Sequence, residues 1–281
     1  MTDRSDGAAA ALDLVLAEIG PAAVAVSGGV DSTTLAAAAH RRDPNGTLMI
    51  HAVSPAVPPE ATARVRDLAA AEGWDLKVID AGEFEDLDYL RNPVNRCFFC
   101  KSNLYGAMRR HTSNTLLSGT NLDDLGDYRP GLDAAANHGV RHPYVEAGID
   151  KAGVRALARR FGLDDVAELP AAPCLSSRIE TGLPVTAETL TLVHRIETAT
   201  TQWLRGEGVR PDAVRCRVRR DGLVVELDPV SLALAGSWSG LGLRARLGEI
   251  TREAGVDGVP RLAAYQRGSA FLHDTATAQN A

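Results

Sequence analysis

The sequence predicts an α/β protein with a doubly wound, mostly parallel sheet in its N-terminal part and a smaller α+β domain at its C-terminal end. Up to residue 178, short apolar runs alternate with segments of helical periodicity, the pattern of a parallel sheet with helices on both faces. After residue 178, a long helical segment is followed by two alternating strands joined by the hairpin signal Arg220-Asp221-Gly222. We therefore expect two domains, residues 1–178 and 179–281.

Bulk properties limit the possible functions. The chain has 281 residues, close to the largest size for a single core, and its formal net charge of −6 argues against binding along nucleic acid. No apolar run approaches the ~18 residues of a membrane span. Asp13 and Glu18 interrupt the alanine-rich N-terminal segment, which indicates an amphipathic helix and not a secretory signal. We expect a cytoplasmic protein, whose four cysteines favour metal or redox chemistry over disulfides.

The first domain should place several loops at one edge of its sheet. Buried strands are expected at 22–26, 47–53, 76–80, 115–120 and 140–145. Ligands of parallel sheets bind beyond the carboxyl ends of the strands. Ser27, Ser54 and Gly119 stand at or just past three of these ends, so we expect them to line one crevice.

The first strand runs into a glycine turn, Ser27-Gly28-Gly29, and a helix is expected to begin near Asp31. N–H groups at a helix start have no partner within the helix, and the helix dipole adds about half a positive charge. Glycines let the backbone approach a phosphate, and Ser27 and Ser32 add hydroxyl donors. These features favour an anion site over a simple capped turn. Asp31 is a carboxylate there, and we expect it to cap the helix or to hold a metal ion that bridges phosphates.

No lysine follows the glycines, so the run is not the lysine-containing phosphate loop of other nucleotide-binding proteins.

Three cysteines are candidate ligands. Cys97 and Cys100 are spaced by one helical turn at an expected helix start, where the thiolate form is favoured. Cys174 lies in a proline-stiffened segment at the join of the two domains. Cys216 shares a strand face with two valines and is expected to be a packed hydrophobe. Three ligands suit a 4Fe-4S cluster with one open iron better than a four-ligand zinc site, while a redox pair or a chance pair stays open.

The second domain presents charged side chains on its expected strand and helix. Arg215, Arg217 and Arg219 alternate and should share one strand face. Such a row suits capture of a carboxylate or phosphate, and a solvated face is the alternative. Glu197 lies on the apolar face of the expected helix 188–204, where a carboxylate needs an arginine or a metal as partner.

Four runs together resemble the LarE family of ATP-dependent sulfur transferases, which act in making the nickel-pincer nucleotide cofactor of lactate racemase. The runs are Ser27-Gly28-Gly29-Val30-Asp31-Ser32, Asp127-Tyr128-Arg129-Pro130-Gly131, Cys174-Leu175-Ser176-Ser177-Arg178 and Val214-Arg215-Cys216-Arg217. The first resembles the pyrophosphatase loop (PP-loop) of many enzymes, and the other three in this order are more specific. The resemblance implies an adenine nucleotide alpha hydrolase-like first domain and a second domain for sulfur transfer and substrate binding.

The resemblance also implies an activity. ATP would be cleaved between its α and β phosphates to adenylate a carboxylate of a pyridinium dicarboxylate mononucleotide, and sulfur would displace AMP to leave a thiocarboxylate. The implied cofactors are ATP, Mg²⁺ and a 4Fe-4S cluster, and the implied partners are this small-molecule nucleotide and sulfide or another sulfur donor. We also expect a homo-oligomer.

One branch of the family gives up the sulfur of a single cysteine, at the position of Cys174. The other branch, which this chain resembles, has Cys97 and Cys100 as well and carries sulfide on the open iron of a cluster. ATP would be bound by Ser27, Gly28, Gly29, Asp31, Ser32, Ser54 and Gly119.

Substrate and metal roles also follow from the motif match. Ser177, Arg178, Arg215 and Arg217 would hold the substrate's phosphate or carboxylate. The acidic metal-binding positions correspond to Glu197, Glu226 and Leu234, so the divalent-cation site lacks its third acid.

Other PP-loop functions are the alternatives. An ammonia-using amidotransferase or synthetase would not need the three cysteines. A tRNA-thiolating enzyme does join the loop to a three-cysteine cluster, but the acidic net charge argues against it. A non-enzymatic nucleotide sensor is a third alternative.

Overall fold

The computed structural model of the protein describes residues 2–126, 130–171, 173–266 and 268–270. The chain forms two compact units. The first consists of residues 1–86 and 95–172, and the second of residues 87–94 and 173–281. The predicted domain boundary after residue 178 stays a prediction.

Helices are the commonest elements of both units. Along the chain they are α1 (Thr2–Ile19), α2 (Val30–Arg42), α3 (Pro59–Glu72), α4 (Leu87–Leu90), α5 (Arg96–Arg109), α6 (Pro130–Asn137), α7 (Pro143–Glu146), α8 (Lys151–Arg160), α9 (Asp164–Ala167), α10 (Ala187–Gly206), α11 (Pro229–Gly236) and α12 (Leu241–Glu253). Short 3-10 helices cover 83–85, 122–126, 175–178 and 238–240. No helix within the described residues is both long enough and apolar enough to cross a membrane.

The first unit is built on a four-stranded, all-parallel sheet in the order β3-β2-β1-β4. Its strands are β1 (Ala22–Ala25), β2 (Thr47–Ala52), β3 (Asp75–Ile79) and β4 (Thr115–Leu117). Successive residues of β1 face opposite cores, as the two-residue period of a strand requires. Val24 packs in the core that contains Leu12 of α1 and Leu157 of α8, and Ala23 packs in the core that contains Tyr105 of α5. Helices therefore cover both faces, which confirms the predicted fold class.

The predicted fifth strand at 140–145 is wrong. Its only pairing among the described residues is a single parallel bridge, Leu117↔Arg141, with Ser118 N–H donating to Arg141 O. Pro143 then begins α7, because a proline has no N–H for a sheet and its fixed φ suits the first helical position. The apolar run therefore extends the sheet by one residue pair before it turns into a helix.

The second unit contains a mixed three-stranded sheet in the order β5-β6-β7. Its strands are β5 (Val214–Arg219), β6 (Gly222–Leu227) and β7 (Arg261–Ala264). The predicted hairpin is confirmed, because β5 and β6 are antiparallel, and β7 adds to β6 in parallel. The apolar face of α10 packs on β5, with Leu190, Val193 and Ile196 buried together with Cys216. The predicted packing role of Cys216 is confirmed, and burial raises the pKa of its thiol.

Candidate functional site

The glycine loop joins β1 to α2 in the first unit. Gly29 is the N-cap of α2, and Thr33 N–H makes the first helical hydrogen bond, to Gly29 O (3.1 Å). The N–H groups of the three preceding helical residues have no intrahelical acceptor, as at any helix start. Gly28 has φ +80°, and a Cβ there would lie 2.8 Å from Ala61 O. Glycine is therefore required at Gly28 both by its backbone angle and by the close approach of α3.

Two serines close this loop. Ser27 N–H donates to Ser32 Oγ (3.0 Å), and the two hydroxyl oxygens also lie 3.0 Å apart. Ser32 Oγ in turn donates to Gly29 O (3.3 Å). Ser27 is exposed and Ser32 is buried, so the pair fixes the loop from within and leaves one hydroxyl facing outward.

Asp31 lies in the first turn of α2, but it does not cap the helix. The N-cap position belongs to Gly29, and α2 has no side-chain cap, so the capping alternative is wrong. Asp31 Oδ2 instead accepts a hydrogen bond from Lys151 Nζ (2.5 Å), and its Oδ1 accepts one from Asn121 Nδ2 (3.0 Å). The carboxylate thus carries an ion pair and an amide hydrogen bond, and the metal-holding alternative stays a prediction.

Gly119 lies against the glycine loop, one residue beyond Ser118 at the end of β4. A Cβ on Gly119 would lie 2.8 Å from both Asp31 C and Ser32 N, closer than real Cβ contacts. Gly119, which follows β4, therefore lies against the start of α2, which follows β1, at one edge of the sheet. Ser54 follows β2 and shapes the next turn, where its Oγ accepts a hydrogen bond from Ala56 N–H (3.2 Å).

Sequence reasoning missed several side chains that support this loop. Arg64 Nη1 donates to Gly28 O (2.8 Å), and His51 Nδ1 lies 2.7 Å from Val26 O. Burial lowers the pKa of His51, so the neutral ring donates from Nδ1 and accepts at Nε2 from Thr62 Oγ1 (2.9 Å). A histidine inside the apolar β2 run was the available signal. Lys151 could not be recognised in the sequence, because its only local feature is that it follows Asp150, the N-cap of α8.

Cys97 and Cys100 lie at the start of α5, as its second and fifth residues. Cys97 is exposed and Cys100 is half-buried, and neither is in a disulfide. The start of α6 packs nearby, because a Cβ on Gly131 would lie 3.8 Å from Cys97 O. Of the predicted run around Gly131, the residues Asp127, Tyr128 and Arg129 lie outside the described part of the chain.

In the second unit, Cys174 is exposed at the start of a buried 3-10 turn. Its carbonyl accepts a hydrogen bond from Ser177 N–H (3.0 Å). Arg178 is buried at the end of the turn, with Nε and Nη2 donating to the two carboxylate oxygens of Glu197 (2.9 and 3.0 Å). Glu197 thus has the arginine partner expected of an inward carboxylate. Burial acts to lower the pKa of Arg178, but the hydrogen bonds that Arg178 donates to the Glu197 carboxylate raise it above its usual value.

The arginine row of β5 is not a solvated face. Arg217 is 4% exposed, and its Nε donates to Glu226 Oε2 (2.9 Å). Arg219 and Ser269 both donate to Glu226 Oε1 (2.7 Å each). Arg215 is half-buried, and burial together with the positive charge of Arg178 lowers its pKa. The alternation of the three arginines was predicted, and Glu226 on β6 is the partner of two of them, Arg217 and Arg219.

Within the described residues, no three His, Cys, Asp or Glu side chains stand together as a metal-binding group. Cys97 and Cys100 belong to the first unit and Cys174 to the second. Glu197 and Glu226 hold arginines. The cluster and the divalent-cation site therefore stay predictions.

The fold and the loops together define a two-unit α/β protein with a glycine turn at the carboxyl edge of a parallel sheet. The chain belongs to the same family as the uncharacterized protein slr1717 of Synechocystis sp., with which it is 37% identical over 75% of this chain and 78% of the relative. It is also 24% identical to the uncharacterized protein MJ0830 of Methanocaldococcus jannaschii, over 73% of this chain and 77% of that protein. No family model matches the chain.

A further relative carries a functional name. The chain is 28% identical, over 78% of each protein, to the pyridinium-3,5-bisthiocarboxylic acid mononucleotide synthase of Lactiplantibacillus plantarum. This similarity spans 223 residues and supports the resemblance to LarE-type sulfur transferases.

Proposed function

We propose that the protein is an AMP-forming, ATP-dependent sulfur transferase that converts a carboxylate of a pyridinium dicarboxylate mononucleotide into a thiocarboxylate. The observation that carries the proposal is the similarity, over 78% of both chains, to a protein named as the corresponding bisthiocarboxylic acid synthase. In this reaction a carboxylate oxygen attacks the α-phosphorus of ATP, and pyrophosphate leaves. A sulfur nucleophile then attacks the acyl carbon, and AMP leaves with the carbon–oxygen bond's electrons.

The glycine loop would bind the departing pyrophosphate. Its N–H groups at the start of α2 supply the positive end of the helix dipole, and the exposed Ser27 hydroxyl supplies a further donor. Lys151 Nζ, already at Asp31, would add the positive charge that the loop lacks in its own sequence. Preorganised donors of this kind stabilise charge as it develops on the leaving group.

Asp31 would hold Mg²⁺ on the phosphates. The Asp31 carboxylate suits this hard cation, because it is partly exposed. Its two present partners are both hydrogen-bond donors, the neutral Asn121 amide and the cationic Lys151 amine. Asn121 and Lys151 hold the Asp31 carboxylate in its orientation, and Lys151 would also be within reach of a bound phosphate.

The surroundings of β5 suit an anionic substrate. Four arginines, Arg178, Arg215, Arg217 and Arg219, gather around two glutamates, Glu197 and Glu226, which leaves an excess of positive charge. Burial and the positive charge of Arg178 lower the pKa of Arg215. A bound phosphate or carboxylate would relieve this repulsion and gain a charge-assisted hydrogen bond.

Cys97, Cys100 and Cys174 would hold a 4Fe-4S cluster. The donor set fits, because the first two thiols lie at a helix start, where thiolates are favoured, and all three are outside disulfides. When bound, such a cluster supplies sulfide at its open iron. The role of this chain is to present the three thiolates.

The test is a product assay under anaerobic conditions. With Mg-ATP and the pyridinium dicarboxylate mononucleotide, we expect AMP and pyrophosphate in equal amounts and a substrate mass that shows oxygen replaced by sulfur. Without the carboxylate acceptor, little AMP should form. Release of ADP and phosphate, or AMP formation that needs ammonia in place of sulfide, would overturn the proposal.

A further inference from the structure

The hydrogen bonds of Arg178 leave little of its guanidinium for a ligand. The Nε–Nη2 edge is occupied by both oxygens of Glu197, and this is the edge that a carboxylate or phosphate would use for bidentate binding. On the other side, Nη1 donates to Pro173 O (2.7 Å), Cys174 O (3.2 Å) and Ser177 Oγ (3.0 Å). The side chain is 5% exposed.

These bonds all converge on the turn that carries Cys174. Pro173 and Cys174 are exposed, and the next four residues are buried. The Cys174 carbonyl is held twice, by Ser177 N–H (3.0 Å) and by Arg178 Nη1. An exposed thiol thus stands on a backbone whose carbonyls are fixed from the interior.

Glu197 extends the network to the substrate-binding strand. Its Oε1 accepts a hydrogen bond from Cys216 N–H (2.8 Å), and Cys216 lies on β5 between Arg215 and Arg217. One carboxylate on α10 therefore ties the Cys174 turn to β5 through Arg178. Arg178 and Cys216 are buried, so loss of the Glu197 carboxylate would leave the Arg178 charge buried without its counter-charge.

We propose that Arg178 is a positioning residue for Cys174 and not a substrate contact, and that Glu197 acts in the same unit as its anchor and not as a metal ligand. This inference rests on the proposed function only in that Cys174 takes part in sulfur transfer. It reassigns two residues to which the family resemblance gives binding roles. A lysine cannot replace Arg178, because a single ammonium cannot span Glu197 and the two carbonyls.

The central experiment compares Arg178→Lys with Arg215→Lys and with Arg220→Lys, an exposed residue of the same unit. For Arg178→Lys we expect the dissociation constant of the pyridinium dicarboxylate mononucleotide to stay within about twofold, and the single-turnover rate of transfer to fall about 10²-fold, the usual effect of a misplaced reacting group. Arg215→Lys should weaken binding instead. Arg220→Lys should change neither.

A second readout does not depend on activity. The rate of amide hydrogen exchange at Ser177, whose N–H donates to the Cys174 carbonyl, should rise in Arg178→Lys, because the turn opens more often. The Glu197→Gln variant, which keeps one acceptor and loses the charge, should raise the same rate and decides the matter if Arg178→Lys does not fold.

The outcomes separate the two proposals. A tenfold or larger loss of nucleotide binding in Arg178→Lys, with unchanged amide exchange at Ser177, would make Arg178 a substrate contact and overturn the inference. Tight divalent-cation binding that is lost in Glu197→Gln but kept in Arg178→Lys would also overturn it. If wild-type protein transfers no sulfur, the proposed function fails, and the exchange rate at Ser177 still tests the positioning role.

Discussion

Lys151 Nζ lies 2.5 Å from Asp31 Oδ2, so the start of α8 brings a positive charge to the first turn of α2. Asn121 holds the other carboxylate oxygen at 3.0 Å, which leaves Asp31 oriented between two side chains from distant parts of the first unit. The ion pair is about one-third exposed on each side, so it contributes little to stability on its own. The proposed function places the phosphates of ATP beside this ion pair, at the start of α2.

We predict that Lys151→Met weakens the ATP-dependent step. Loss of a charge-assisted contact with phosphate, about 1.5–3 kcal/mol, should raise the KM for ATP by roughly one to two orders of magnitude. Lys77→Met, at an exposed lysine of β3, is the matched control and should behave as wild type. Steady-state kinetics of pyrophosphate release at several ATP concentrations makes the comparison. Equal KM values in the two variants would mean that Lys151 forms only a surface ion pair with Asp31 and does not contact ATP.

Gly119→Ala should damage the same loop by a steric route. The new Cβ would meet the backbone of Asp31 and Ser32 at 2.8 Å, and neither atom is a flexible side-chain end. We expect a destabilisation of about 1–3 kcal/mol from overpacking, together with weaker ATP binding. Gly7→Ala in α1, where a Cβ meets nothing within 4 Å, should leave both unchanged or slightly raise stability. Thermal unfolding and ATP titration of both variants measure the two effects.

The sequence predicts the sheet well because its strands are apolar runs and its turns carry glycine and proline. The fifth strand failed at Pro143, where a single residue's missing N–H outweighed the apolar pattern. The sequence predicts only those parts of the candidate site whose residues are close together along the chain, as in the glycine loop. Lys151 and Asn121 reach Asp31 from far along the chain, and Glu226 reaches Arg217 across a strand pair, and no periodicity specifies such contacts.

The buried pair of Arg217 and Glu226 predicts a pH-dependent stability. Burial acts to raise the pKa of Glu226, but hydrogen bonds from Ser269, Arg217 and Arg219 outweigh it and hold that pKa below its usual range. A carboxyl whose native pKa is lowered stabilises the fold above its unfolded pKa of about 4.3, and this contribution disappears as the pH falls through the native pKa.

Glu226→Gln should therefore be less stable than wild type by about 3 kcal/mol near neutral pH, where it leaves Arg217 buried without its counter-charge. The difference should shrink toward acid, since wild-type Glu226 becomes protonated as well. Urea-induced unfolding of both proteins from about pH 7 to about pH 3 measures it. The exposed Glu249→Gln variant is the control, with a small difference at every pH. A difference between Glu226→Gln and wild type that does not change with pH would contradict the ionised, paired state of Glu226.

Replacing each of the four cysteines by serine should give two different results. If Cys97, Cys100 and Cys174 hold the cluster, each serine variant of these three should lose the visible absorption of anaerobically purified protein, its iron and sulfide, and sulfur transfer. Cys216→Ser should keep all of these properties. Cys216 is fully buried between α10 and β5, so its serine variant should lose stability through an added buried hydroxyl, by roughly 1–3 kcal/mol.

Mass spectrometry after turnover separates the cluster from sacrifice of Cys174. In the cluster route the Cys174 peptide keeps its mass over many turnovers, because the transferred sulfur comes from added sulfide. In the sacrificial route the Cβ–Sγ bond of Cys174 breaks, and the peptide is lighter by H₂S after a single turnover. The exposed Cys174 is accessible to either chemistry, whereas the sacrificial route needs neither Cys97 nor Cys100. Iron-free protein with a dehydroalanine at Cys174 and full single-turnover activity in Cys97→Ser would therefore end the cluster hypothesis.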